Sequence, residues 1–278
     1  MSFEQYYSFR PAWPYEVRLR WPGGELTYLG VDHTFDPEAD TVVHARDSFR
    51  TIRPTVVLVE GLPEAQQATL VESVHAFGEA GALSFLARQS QVPAKSLDLP
   101  FRNEFELVAR KFSGEMAALF YAMQVTFQQA RRFPSLDKRA FMESTALPWL
   151  LRRTAWTGKL DSSHFERLYA QRSGGGRLFE DVSADWFMPG QPRNVFQEIT
   201  TYSTELRDQE MIRLLYQEAK HGGRVLAVAG GSHVVMQEGA LRRLLRCPAH
   251  AISGGTLLSP AVSDCAGPAD ESFDSCKR

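Results

Sequence analysis

Residues 203–233 read "STELRDQEMIRLLYQEAKHGGRVLAVAGGSH", and this stretch carries the fold. Its first half has helical spacing, with Ser203 or Thr204 placed to cap it, Glu205 and Asp208 at its positive end, and Gly222 placed to close it. Its second half, "RVLAVAGG", is nearly all apolar, as expected of a strand covered on both faces. A helix running through a short connection into such a strand is half of an α/β unit, and open sheets of this kind bind ligands beyond the carboxyl ends of their strands. His233 falls at such an end, three residues after Gly230.

The same arrangement occurs near the start of the chain, where "ELTYL" (25–29) leads into "GVDHTF" (30–35) and His33 follows Gly30. At average glycine usage of about 7%, the chain's seven histidines should supply about half of one such glycine by chance, and two are present. His44, His75, His164, His221 and His250 lack the pattern. A glycine at a strand end is read as permitting a backbone turn that a side chain would resist, so that the histidine folds back over the sheet edge. A third apolar run, "TVVLVEG" (55–61), ends in Glu60, where a carboxylate suits a crevice better than a core.

Strands are expected at 15–20, 25–30, 55–60, 93–98 and 224–229, with "RWPGGEL" as a hairpin turn between the first two. Between the early strands and the late one, "EAQQATLVESVHAFGEAGALSFLARQ" and "RNEFELVARKFSGEMAALFYAMQVTFQQARR" repeat apolar residues at helical spacing, with Gly114 placed to interrupt the second. The expected fold is α/β: a central mixed, largely parallel sheet with helices on both faces and a helical insertion, about residues 101–200, covering the strand-end crevice. Residues 1–260 are expected to form one domain and 261–278 a polar, disordered tail.

The composition is that of an ordinary globular chain, 44% hydrophobic and 23% charged, with a net charge of -2 that provides no bulk field for nucleic acid or an acidic membrane. The first residues lack the apolar run of a signal peptide, and Cys247, Cys265 and Cys276 form neither a close pair nor an even set. A cytoplasmic protein with reduced thiols, no membrane partner and no nucleic-acid partner is expected, and an oligomer is compatible with the sequence.

Two imidazoles and a carboxylate at one sheet edge can hold a divalent ion with open positions, or His33 can act as general base with Glu60 orienting it. The segments "GVDH", "VVLVEG", "LRDQEM", "RVLAVAGGSHV" and "EGALRRLL" together resemble the Tiki/TraB family, which shares a superfamily with the erythromycin esterases and the ChaN-type haem-binding proteins. The resemblance covers roughly residues 25–100 and 200–246. Two Gly-x-x-His motifs, a glutamate closing a strand between them and an Arg-Asp-x-x-Met helix mark that family. Val31 and Ser232 depart from its usual small hydroxyl residue and glycine at those places.

The resemblance implies a site of His33, Glu60 and His233 with Arg207 beside it, and a hydrolase cleaving an amide or ester in a peptide or small molecule. The metal set is His33, Glu60 and His233, with Asp98 as an additional acid; manganese, cobalt and zinc all suit the mixed nitrogen and oxygen donors. A metal-free esterase and a non-catalytic haem- or ligand-binding protein are the alternatives. Each residue also has a plainer reading: Glu60 or Asp98 as a cap, Arg207 as half of a surface ion pair, Asp32 as a turn residue. Ser232 lacks the second glycine of a nucleophile elbow. Trp186, Phe187 and Phe196 line a pocket or pack in a core, and the basic pairs at 131–132, 152–153 and 242–243 are solvated helix faces.

Overall fold

The computed structural model describes residues 3–9, 11, 13–158, 167–171, 184–189 and 194–246. The tail expected at 261–278, the triple glycine at 174–176 and all three cysteines lie outside the described residues. Five strands form one sheet in the order β1-β2-β5-β3-β4. They are β1 (Tyr15–Trp21), β2 (Gly24–Val31), β3 (Val56–Val59), β4 (Ala94–Ser96) and β5 (Gly223–Gly230). The β1–β2 hairpin is antiparallel, and β2, β5, β3 and β4 are mutually parallel. The expected α/β architecture is therefore present, with a short β4 that ends two residues before Asp98.

Alternation along the central strands separates two cores. Leu26, Tyr28, Leu58, Val225 and Ala227 face helices α8 (Val195–Lys220) and α9 (Gly231–Arg246). Leu29, Val31, Val57, Val59, Leu226 and Val228 face α2 (Asp40–Ile52) and α3 (Leu70–Gln89). Buried on both sides, β3 and β5 need no polar face, which explains their uniform composition. The short α1 (Phe3–Ser8) lies against α9. No helix among the described residues is long and apolar enough to cross a membrane.

The middle of the chain is helical, through α4 (Phe101–Phe112), α5 (Gly114–Arg132), α6 (Lys138–Phe141), a π-turn at Met142–Ala146, and α7 (Leu147–Arg153). Its own core gathers Phe105, Leu119, Phe120, Met123 and Leu150, and takes in Phe187 and Phe196 with the partly buried Trp186. These three aromatics thus pack in a core. Gly114 starts α5, and the break itself falls at Ser113, whose φ is 90° and whose hydroxyl accepts from the Met116 N–H.

Two local expectations are corrected. The late helix begins at Val195, where the Asn194 side chain accepts from the Gln197 N–H. Ser203, Thr204, Glu205 and Asp208 therefore lie in its interior and cap nothing. The buried stripe Phe196, Ile199, Ser203, Met211, Leu215 and Ala219 carries the helix from the insertion's core into the sheet's core, which an eight-residue-shorter helix could not do. Nor does Glu60 cap the helix after it: α3 is capped by Thr69, which forms a reciprocal box with Glu72.

The glycines of the two Gly-x-x-His motifs also act differently from the expectation. Neither Gly30 nor Gly230 has a positive φ; both provide space. A Cβ on Gly30 would lie 3.0 Å from Val234 Cβ and 3.2 Å from Gly231 Cα, so glycine lets α9 sit directly on β2.

Candidate active site

The site is built at the carboxyl ends of β2, β3 and β5, where the chain leaves the sheet. His33 stands in the loop after β2, Glu60 directly after β3, and His233 in the first turn of α9 after β5. The three meet around Gly230: a Cβ there would lie 3.2 Å from His33 Nε2, 3.5 Å from Glu60 Oε2 and 3.8 Å from His233 Cδ2. Residues 33, 60 and 233, distant in sequence, thus share one small volume. It opens to solvent on the His33 side, whose side chain is 55% exposed, while that of His233 is 7% exposed.

Each imidazole is held by a carboxylate through Nδ1. His33 Nδ1 lies 2.5 Å from Glu79 Oε1, and His233 Nδ1 lies 2.6 Å from Asp208 Oδ1. This leaves both Nε2 atoms turned toward the shared volume, and His233 Nε2 is 3.8 Å from Glu60 Oε1. The Asp208 pair is extended inward, because Gln237 donates to the same Asp208 oxygen at 2.6 Å and the buried Tyr28 hydroxyl donates to Gln237 Oε1 at 3.1 Å. Orientation of His233 is therefore set by a chain of hydrogen bonds that ends in the sheet's core.

Glu60 is gripped on both oxygens. Arg207 donates from Nη2 to Oε1 at 2.5 Å, and the Gly230 N–H donates to Oε2 at 2.7 Å. Burial pushes this carboxyl up, but Arg207, then His233 and His33, and the Gly230 N–H outweigh it and bring its pKa down to about 2. For His33 the Glu79 hydrogen bond dominates; against the opposing pull of desolvation, the charges of Glu79 and Glu60 help raise it to about 9. Burial acts to lower the Arg207 pKa, yet Glu60, Glu104 and Asp98 together hold it above its ordinary value.

Arg207 is on the buried stripe of α8, midway between Ser203 and Met211, so its partner is the site's glutamate and not a surface neighbour. Asp98 lies 3.7 Å from the same guanidinium nitrogen through Oδ1, while its Oδ2 accepts from the Gly61 N–H and the Ser96 hydroxyl, each at 2.8 Å. Asp98 thus ties the β3 exit to the β4 exit. Asp32 is exposed beside His33, and Ser232 is half-buried in the first turn of α9.

Three groups at the site were not singled out by sequence: Glu79, Asp208 as a histidine partner, and Glu104. Glu79 is 3% exposed within the apolar run "AFGEAGAL", and an acid in such surroundings is itself a signal. Glu104, 7% exposed on α4, accepts from Tyr121 at 2.8 Å and from Ser203 at 2.5 Å. The insertion thereby adds a charge to the field around Arg207.

As a metal centre the residues fit in part. Two Nε2 atoms backed by carboxylates are what imidazole ligands need. Glu60, however, has Arg207 and a backbone N–H on its oxygens, and no group of three or more His, Cys, Asp or Glu among the described residues has the spacing to hold an ion. Two clefts open elsewhere: about 710 Å³ between α1 and α9, and about 320 Å³ between residues 62–67 and α3. No family model, curated protein or solved structure matches the chain.

Proposed function

We propose that this chain is a hydrolase of the Tiki/TraB type, cleaving an amide or ester bond in a peptide-like or small-molecule substrate. The observation that carries the reading is the convergence of His33, Glu60 and His233 on Gly230, with each imidazole anchored through Nδ1 and turned through Nε2 toward the shared volume. His33 and His233, with Glu60, would hold a divalent ion such as manganese, cobalt or zinc. Bound there, such an ion supplies a water of lowered pKa and polarises the scissile carbonyl. Glu60, Glu79, Asp98, Glu104 and Asp208 surround the one guanidinium of Arg207 and the two imidazoles, a balance of charge that favours a cation.

In the metal-free alternative, where its Nε2 is not committed to an ion, His33 on the open side meets the substrate first and exchanges a proton there with the attacking water or the leaving group. Glu79 keeps the proton on Nδ1 and so fixes which nitrogen acts. Arg207 binds Glu60 with one nitrogen, and its remaining N–H groups stabilise the oxyanion that develops at the carbonyl. His233 and Asp208 form the rigid inner wall.

The metal-free alternative rests on a specific feature: both oxygens of Glu60 are already engaged by Arg207 and Gly230. One experiment separates the readings. Protein purified without chelator or nickel resin is analysed for metals and assayed on p-nitrophenyl esters and peptide p-nitroanilides, beside His33→Ala and His233→Ala. The leading reading expects near-stoichiometric divalent metal and hydrolysis reduced at least about 100-fold in both variants. Hydrolysis that survives chelation selects the metal-free reading. A Soret band without hydrolysis selects haem binding, and wild-type rates in both variants overturn the site.

A further inference from the structure

We propose that the 320 Å³ cleft between residues 62–67 and α3 is a second ligand site, which takes a small monocarboxylate with an apolar body. The cleft has the volume of the smallest ligand sites and their usual composition, largely apolar with a few polar groups. Leu62, Phe77, Phe85 and Val92 supply apolar walls. Two polar groups on α3 are under-used. Ser84 Oγ is buried and has no hydrogen-bond partner among the described residues, although a helical serine normally bonds the carbonyl one turn back or reaches solvent. Arg88 donates from Nη2 to the Gln67 carbonyl at 2.6 Å and lies over the Phe85 ring, with no carboxylate paired to it among the described residues.

One turn separates Ser84 from Arg88, so both point along the same face of the helix. A carboxylate between them accepts from the guanidinium and from the serine hydroxyl, and the ligand's hydrocarbon part covers Phe77 and Leu62. An amine would meet Arg88 unfavourably, and a neutral alcohol would leave its charge unanswered. The site is separate from the one around Gly230 but shares its scaffolding: Leu62 follows Glu60 by two residues and Phe77 precedes Glu79 by two.

The test uses phenylacetate and hexanoate as probes, with hexanol and hexylamine as matched controls, followed by calorimetry and thermal denaturation. Saturable binding of the two acids is expected, raising Tm by about 5 °C at a hundredfold excess over Kd. Arg88→Gln should weaken binding at least tenfold. Ser84→Ala should weaken it several-fold while leaving the unliganded Tm unchanged or higher, because it removes a hydroxyl that the empty fold does not use. The proposal is overturned if neither acid binds, if hexanol binds as tightly as hexanoate, or if both variants bind like wild type. Neither substituted residue belongs to the Gly230 site, so these outcomes stand whether or not the chain is a hydrolase.

Discussion

At the scale of single residues, charge pairing dominates the site. His33 has its pKa raised to about 9 by Glu79, so its contribution to stability is complete below the unfolded value near 6.5 and is lost as pH rises through 9. Glu60, lowered to about 2, contributes fully above the unfolded value near 4.5, a contribution lost as pH falls toward 2. Both contributions are present together between those two unfolded values. In chelator-treated protein, NMR of the imidazole should show His33 titrating well above an ordinary histidine, and Glu79→Gln should return it toward 6.5. A His33 that titrates normally in the wild type removes Glu79 from its role. For the buried pair, Asp208→Ala leaves His233 and Gln237 without their shared acceptor and should cost about 1–3 kcal/mol in urea denaturation.

At the scale of elements, two glycines decide whether the histidines can meet their partners. Gly78 breaks the α3 helix with φ 61° and ψ -145°, and a Cβ there would lie 2.6 Å from the Thr34 carbonyl oxygen. The kink seats the His33 loop against α3 and so delivers Glu79 to the imidazole. Gly78→Ala combines a clash with an unfavourable φ and should destabilise the protein by about 1–3 kcal/mol, read as a lower Tm. Gly230→Ala is predicted to act in the opposite proportion. Its methyl group would press on His33 Nε2, costing activity or metal affinity on the order of tenfold with little change in Tm. Equal stability loss in the two variants would contradict this division.

At the scale of the whole molecule, α8 joins the insertion's core to the sheet's core, and Arg207 sits where the two meet. Glu104, supplied by the insertion, shares that field, so the helical middle acts on Arg207 electrostatically. Arg132 stacks on Phe35 at 4.0 Å, and Arg153 pairs with Glu64 at 2.6 Å, which fastens the insertion to the loops after β2 and β3. A double-mutant cycle on Glu104→Gln and Arg207→Lys, followed by denaturation, should give a coupling of about 0.5–3 kcal/mol. Strict additivity would mean the insertion and the site are independent.

Much of this was legible in the chain itself. The apolar runs within 55–61 and 224–231 announce strands covered on both faces, and their ends mark where polar side chains can gather; local composition and period are enough for that. Arg207 came only through the resemblance to the Arg-Asp-x-x-Met motif, since local pattern alone also allows a surface ion pair there. The partners of the histidines were not. Glu79 reaches His33 only because Gly78 kinks a helix, and Asp208 faces His233 only because α8 packs against α9 at one rotation about its axis. Periodicity says which face of a helix is buried, whereas contact between residues far apart in sequence depends on how the packed elements are rotated and spaced. The sequence by itself determined the α/β class and the strand-end residues; only tertiary packing decided which carboxylate meets which imidazole.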